Sequence, residues 1–316
     1  MKYLSLFSGI GGFELGIQQA YEELCNKSWD ESGNKSNAGI PNDNSELLQR
    51  VGQYGTTICA GYSEIDKYAI QIYKKHFNHK NYGDITKINA KELPEFDLLV
   101  GGFPCQAFSI AGKRKGFNDT RGTLFFDIAR ICSEKRPKYL VLENVKGLLS
   151  HDKGKTFQTI IGVLSDLGYL VEWQVLNSKN FGVPQNRERV FIVGHLGGEP
   201  RRKVFPIRRT DNKIDKPDKS VASIRTSGDR GKQKTYLKYE EVQTLSANPM
   251  SDNIPRIIQL NKPKHLNIRK LTPTECERLQ GFPDGWTEGL SDTQRYKTLG
   301  NAVTVNVIKE IVKRII

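Results

Sequence analysis

Several things are scarce in this 316-residue chain, and each scarcity closes off a class of protein. No stretch approaches the roughly 18 consecutive apolar residues that a membrane helix requires. The five cysteines, Cys25, Cys59, Cys105, Cys132 and Cys276, are an odd number with no CxxC pair, which argues against a disulfide framework and a zinc cluster alike and leaves room for a chemical cysteine. The opening MKYLSLFSGIGGFELG is glycine-rich and has no secretory cleavage pattern, so a cytoplasmic location is expected. Acidic residues are also in deficit: 48 Lys and Arg face 35 Asp and Glu, a formal charge of +13. That balance favours a polyanionic partner such as nucleic acid. Residues 200–268 hold 16 basic and 7 acidic residues, so nine of the thirteen net charges fall there.

What is present is an alternation of short apolar runs with helical patterns through residues 1–195. The runs predict strands near 3–7, 57–63, 97–101, 138–143, 170–176 and 189–195. Apolar residues recurring at three and four positions predict helices near 12–24, 66–76, 121–135 and 155–167. The expected fold is α/β, a doubly wound, mostly parallel sheet. Residues 26–55, rich in Asn, Ser and Gly, break the rhythm and read as an inserted loop. Residues 196–268 are basic and proline-punctuated and read as a smaller domain, with 269–316 returning to the first. Thr272, Pro273, Glu275 and Gly281 mark the cap, first turn and stop of one helix, and a last amphipathic helix is expected near 303–315.

Chemistry concentrates where strands end. LFSGIGGFELG follows the first strand, and Gly9, Gly11 and Gly12 permit a tight turn with close backbone approach to a ligand. Glu14 stands where a dinucleotide fingerprint has its third glycine, and its charge would repel a pyrophosphate, so an adenosine cofactor without phosphates fits better than a dehydrogenase's dinucleotide. Glu64, closing the second strand, can accept from ribose hydroxyls. Asp84, in YGDIT, is expected within reach of an adenine amino group; each acid taken singly is more often a solvated strand-end residue. In GGFPCQAFSIAGKRKGF, Cys105 follows a strand and Pro104, and Lys113, Arg114 and Lys115 make the next loop cationic, which favours a thiolate. A lone cysteine is otherwise an inert buried hydrophobe. Glu143 ends the strand YLVLEN, where a carboxylate can hold or deliver a proton. Arg187 and Arg189 open a further strand, where a surface ion pair with Glu188 is the alternative.

FSGIGG, SEID, GDI, GGFPCQAFS, RGTLF, ENV, FGVPQNRERV, RKLTPTECERLQGFP and GNAVTVNV follow one another in an order that resembles the DNA (cytosine-5)-methyltransferases of bacterial or phage restriction-modification systems. The resemblance spans about 240 residues, all but 26–55 and much of 200–268. It implies an S-adenosylmethionine pocket lined by Phe7, Ser8, Gly9, Ile10, Gly11, Gly12, Glu64, Ile65, Asp84, Ile85, Pro104, Leu124, Asn301, Ala302 and Val303. Ile65 stands where some members carry an aromatic ring. It further implies Cys105 as nucleophile, Glu143 as the acid that engages the cytosine ring, and Arg189, with Arg187, as the cations that hold nucleophile and base in register. The target base would be rotated out of the duplex, with Gln106 filling the gap and Ser109, Lys113, Arg114 and Lys115 on phosphates. Residues 200–268 occupy the place of the family's target-recognition domain. A monomer acting on double-stranded DNA follows, with no metal and with a cognate restriction endonuclease in the same system. Methylation of transfer RNA, the work of one branch, and a catalytically retired DNA-binding regulator are the alternatives; the basic segment argues against the first, and intact Cys105, Glu143 and Arg189 against the second.

Overall fold

The computed structural model describes residues 1–31, 57–104, 124–197, 203–207, 222–229, 232–239, 242–243, 256–260 and 266–316. Cys105, Gln106, Ser109, Lys113, Arg114 and Lys115 lie outside them. Five strands and four helices carry the first part of the chain: β1 (Lys2–Leu6), α1 (Gly12–Glu31), β2 (Ile58–Ser63), α2 (Lys67–His76), β3 (Leu98–Gly102), α3 (Leu124–Lys135), β4 (Tyr139–Val145), α4 (Lys155–Asp166) and β5 (Tyr169–Asn177). The short β6 (Gln185–Asn186) and the long β7 (Glu188–Leu196) follow.

The strands form a six-stranded sheet in the order β2-β1-β3-β4-β7-β5. The first four are parallel, whereas β7 runs antiparallel to both β4 and β5. The sheet is thus mostly parallel, as expected, with β7 its one reversed strand. Residues alternate between the two faces with the period of two that the pleat imposes. Leu4, Leu6, Leu99, Leu140, Leu142, Val190 and Ile192 pack on one side, with Phe125 and Ile128 of α3 and Ile160 and Leu164 of α4. Tyr3, Leu98, Val100, Val141, Phe191 and Val193 pack on the other, with Phe13 and Ile17 of α1. Helices thus cover both faces, the doubly wound arrangement expected.

The chain returns to this core after residue 270 through α5 (Pro273–Gln280), α6 (Asp292–Asn301) and α7 (Val305–Ile315). Thr272 and Glu275 form the expected capping box on α5, and Gly281 ends it at φ 80°. α7 buries Val305, Val307, Ile308, Ile311 and Val312. Each fully buried aliphatic side chain contributes about 1.5–3 kcal/mol. Gly16 of α1 makes this packing close, since a Cβ there would meet Ile308 at 2.7 Å. The last helix is preceded by α6, which the sequence pattern does not predict.

Two boundaries differ from expectation. α1 continues to Glu31, six residues into the segment expected as an inserted loop. Residues 203–207, beyond the boundary expected after 195, pack on the same core: Val204, Phe205 and Ile207 are buried with Leu176 and Phe191. Glu172 accepts from the Val204 and Phe205 amides, and Gln174 accepts from that of Ile207. Farther on, β8 (Ala222–Asp229), β9 (Lys232–Tyr239), β11 (Arg256–Leu260) and β12 (Leu266–Lys270) form an antiparallel sheet in the order β12-β11-β8-β9. β10 (Val242–Gln243) pairs with β6.

Candidate active site at the carboxyl edge of the sheet

Because β7 is reversed, its first residues lie beside the last residues of β4, so the ends of β1 to β4 and the start of β7 share one edge of the sheet. Open α/β sheets bind ligands at that edge. The turn after β1 is built there. Phe7 has φ 55°, a conformation that costs a bulky residue energy and clusters at functional sites. The Gly11 amide donates to the Ser8 carbonyl at 3.0 Å, and Ser8 Oγ to Ser5 Oγ at 2.8 Å. At Gly11 a Cβ would fall 2.4 Å from the Phe77 ring, and at Gly12 2.9 Å from Val303. Gly9, at φ 56°, has no atom within 4 Å of a built Cβ. The inner glycines are thus demanded by neighbours behind the turn, while the outer one faces open space.

Glu64 joins this turn to the end of β2. Its Oε2 accepts from the Gly9 amide at 2.8 Å, and Oε1 from the Ile65 and Asp66 amides, both at 2.8 Å. Asn81 brackets its peptide, accepting from the Glu64 amide and donating to its carbonyl. Ile65 is 72% exposed beside it, a large apolar surface without a cover. Asp84 caps a 3-10 turn, accepting from the Thr86 amide and hydroxyl, and a single bridge between Tyr62 and Asn81 precedes it. Those bonds hold its carboxyl below the usual carboxylate range. Ile85 is buried core, Leu124 opens α3 half-buried against the same core, and Pro104 is exposed.

The second group of residues surrounds the ends of β3 and β4. Gly102 pairs with Glu143, and a Cβ on Gly102 would lie 3.3 Å from Glu143 Oε2. Arg189 stands one diagonal step away on the same face, its Nε 3.1 Å from Glu143 Oε1, with side chains 17% and 12% exposed. The pair is an ion pair without hydrogen-bond alignment, because Glu143 Oε1 is buried and accepts no hydrogen bond. Arg189 also donates to the Glu188 carbonyl, while Glu188 itself pairs with Lys146. The surface pairing of Arg189 with the Glu188 carboxylate is therefore replaced by the partnership with Glu143.

Arg187 has a different place. It is buried, and its guanidinium donates to the carbonyls of Gly300 at 3.2 Å and Ala302 at 2.8 Å. Burial pulls it down to about 9, with the Arg189 charge adding to the effect. It braces the turn that carries exposed Asn301 and buried Ala302 and Val303, the last of which backs Gly12. Arg187 thus ties the start of β7 to the Gly300–Ala302 turn.

Three residues that the sequence did not single out complete the edge. Trp286 donates from its indole nitrogen to the Ile10 carbonyl at 2.9 Å and stacks on His76 at 3.6 Å. Phe77 packs behind Gly11. Asn144, buried at the end of β4, donates to the Phe103 carbonyl at 2.9 Å and accepts from the Val145 amide at 2.8 Å. The signal available beforehand was a polar residue in an apolar strand and a tryptophan beside a glycine turn, since buried polar groups need partners.

A strained glycine turn, a strand-end carboxylate on the turn amides and an exposed apolar neighbour fit an adenosine cofactor without phosphates, and the arrangement is that of the S-adenosylmethionine-dependent methyltransferase fold. Solved structures of the same architecture include Dnmt2 of S. pombe, at a TM-score of 0.69 and 20% identity over 100% of this chain and 98% of that one. A methyltransferase of Entamoeba histolytica gives 0.63 and 19% identity over 100% and 97%. The family described as C-5 cytosine-specific DNA methylase matches residues 1–260 and 207–316. The type II methyltransferase M1.ScrFI of Lactococcus lactis subsp. cremoris is 39% identical over 343 residues, covering 100% of this chain and 78% of that protein. M.SsoII of Shigella sonnei is 45% identical over 278 residues, covering 80% and 73%, and M.HhaI of Haemophilus parahaemolyticus is 32% identical over 345 residues, covering 98% and 93%. The chain belongs to the C-5 cytosine-specific DNA methylase family and is a DNA cytosine-5 methyltransferase of the restriction-modification type. Among the described residues no group of three or more His, Cys, Asp or Glu could hold a metal ion, and no helix is long and apolar enough to cross a membrane.

Proposed function

We propose that the enzyme takes its methyl group from S-adenosylmethionine and attaches it to cytosine carbon-5 within a specific sequence of double-stranded DNA, through a covalent adduct of Cys105 with a base rotated out of the helix. The observation that carries this reading is the Glu143 and Arg189 pair, placed at the sheet edge beside Asn144, which donates to the carbonyl of Phe103, two residues before Cys105 in the sequence. When bound, S-adenosylmethionine supplies an electrophilic methyl group. Glu64 would accept from its ribose hydroxyls, Phe7 and Ile65 would cover its adenine, and Asn301, Ala302 and Val303 would close the pocket. Asp84 would accept from the adenine amino group, and Leu124 would line the pocket.

Carbon-5 of cytosine is a weak nucleophile. The Cys105 thiolate adds to carbon-6, forming the sulfur–carbon bond while electron density moves to carbon-5. Glu143 engages ring nitrogen 3 as this charge shift occurs, and Arg189 keeps the acid in place. After carbon-5 has gained the methyl group and lost its proton, the sulfur–carbon bond breaks and the thiolate returns. Water is the proposed base for that proton. Gln106 is assigned to the gap left by the rotated base, with Ser109, Lys113, Arg114 and Lys115 on phosphates. Residues 196–268, the most basic part of the chain, are assigned to target recognition, and 269–316 to the return into the catalytic domain. The enzyme is taken to act as a cytoplasmic monomer beside a restriction endonuclease of the same system.

Transfer of tritiated methyl groups tests the reading. Duplex DNA should become labelled with 5-methylcytosine and transfer RNA should not. Label in transfer RNA but not in DNA would overturn the substrate, and label on adenine or on cytosine nitrogen 4 would overturn the chemistry.

A further inference from the structure

The Ile10 carbonyl and the Gly11 amide belong to one planar peptide group and point in opposite directions. The amide donates to the Ser8 carbonyl at 3.0 Å, and the carbonyl accepts at 2.9 Å from the indole nitrogen of Trp286, 276 residues further along the chain. Gly9 at φ 56° and Gly11 at φ 90° stand on either side of Ile10, and glycine rotates at little cost, so the peptide depends on these two bonds for its orientation. Trp286 is itself held on every side. It lies between α5 and α6, buried with Ile10, Leu279 and Phe282. Its ring stacks on His76 at 3.6 Å, and His76 Nε2 donates to its carbonyl at 2.8 Å. The amides of the residues before and after it, Gly285 and Thr287, each donate to one oxygen of Glu277 at 2.8 Å. Glu277 is buried and paired with Arg295 at 3.0 Å. The indole N–H therefore reaches the cofactor turn from a rigid mount.

We propose that Trp286 is a positioning residue for the methyl donor, whose indole N–H keeps the Ile10 carbonyl behind the glycine turn and so preorganises the front of the turn for the cofactor. The proposal rests on that turn being the S-adenosylmethionine site. Without the N–H, a buried carbonyl is left without its partner, a cost that rotation of the peptide relieves. The turn then spends part of its time in an orientation that does not fit the cofactor, and binding has to restore the fitting one. The apparent dissociation constant rises in inverse proportion to the fraction of molecules that fit, so a fall of that fraction to about one tenth weakens binding about tenfold. Once cofactor saturates the enzyme the turn is restored, and the methyl transfer that follows proceeds at its ordinary rate.

The test titrates the full-length enzyme with S-adenosylmethionine in a calorimeter and measures methyl transfer to duplex DNA at saturating cofactor. Trp286→Phe removes the donor and keeps an aromatic ring beside His76 and Phe282. Leu279→Ala loosens the same buried cluster while leaving the donor in place. Trp286→Phe should raise the dissociation constant for S-adenosylmethionine about tenfold, with kcat at saturating cofactor within about threefold of wild type. Leu279→Ala should melt at a lower temperature yet bind the cofactor within about twofold of wild type, because truncating a buried leucine costs stability without freeing the turn. Should Trp286→Phe fail to fold, replacing the indole by a benzothiophene, which has its shape and no N–H, carries the same expectation. An unchanged dissociation constant in the folded variant overturns the proposal alone. Equal weakening in Leu279→Ala overturns it too, and leaves Trp286 a structural residue of the cluster, as does a loss confined to kcat. A wild type that binds no S-adenosylmethionine overturns the cofactor reading and this inference with it.

Discussion

Glu64 and Glu143 sit on the same edge of one sheet yet are treated in opposite ways. Glu64 is bound by three backbone amides, those of Gly9, Ile65 and Asp66, so fixed peptide dipoles satisfy most of its capacity to accept. Among the described residues, Glu143 has one cation, 3.1 Å from an oxygen that accepts no hydrogen bond. A carboxylate that only binds a ligand can be locked in place by the main chain. One that must follow a changing charge keeps an oxygen uncommitted, and the cost of that orphan is met by the neighbouring guanidinium. Glu14 adds a third case: fully buried, it accepts from Tyr73 on one oxygen and, among the described residues, leaves the other without a hydrogen-bond partner and has no ion pair. Burial pushes it up to about 7, against the opposing hydrogen bonds from Ser5 and Tyr73.

The contrast predicts three separable outcomes. Glu143→Gln should lower kcat by about 100- to 10,000-fold, the span of general acid–base catalysis, with S-adenosylmethionine affinity unchanged. Steady-state kinetics with calorimetry check this, and a KM effect without a kcat effect would erase the distinction between the two acids. Glu14 should act on stability alone. Its folded value lies above the ordinary 4.5 of a free carboxyl, so the folded state holds the proton longer. Stability from this group is full below about pH 4.5 and declines as pH rises through about 7, by roughly 3 kcal/mol in all. Denaturation of Glu14→Gln should lack that decline between pH 5 and 8, and a parallel decline in both proteins would remove Glu14 as its cause. Glu64→Ala, the smallest effect, should weaken S-adenosylmethionine binding by about 1–3 kcal/mol, since the ribose loses a charged acceptor. Its kcat at saturating cofactor should stay within a few-fold of wild type.

Much of this edge was legible beforehand because it is written in residues with few other uses. Gly9, Gly11 and Gly12 after an apolar run announce a turn, and Glu64, Glu143 and Arg189 each stand where a strand stops or starts. Strand direction was not legible, because period-two alternation is the same in β7 whether it runs parallel or antiparallel. The cap at Asp84 was not legible for a similar reason: an acid after a short apolar run looks the same whether it ends a strand or caps a turn. Arg187 and Arg189 are spaced as twins, and only the arrival of the Gly300 and Ala302 carbonyls from more than a hundred residues away separates a brace from a partner of Glu143. Asn144 and Trp286 were hidden because their partners are backbone carbonyls, which no side-chain pattern records. The helix Asp292–Asn301 was missed since only Thr298, Leu299 and Gly300 of its ten residues are buried, too few to make a stripe.

The central claim, that Cys105 attacks the base which Glu143 activates, is tested most directly by trapping. Wild-type enzyme, S-adenosylmethionine and a duplex with 5-fluorocytosine at the methylated position should yield a stable protein–DNA adduct, because fluorine cannot leave carbon-5 as the proton does. Mass spectrometry of the proteolysed complex should place the modified base on Cys105, and Cys105→Ser should give no adduct while still binding cofactor and DNA. An adduct that persists in Cys105→Ser, or one that maps to Cys25, Cys59, Cys132 or Cys276, contradicts the account.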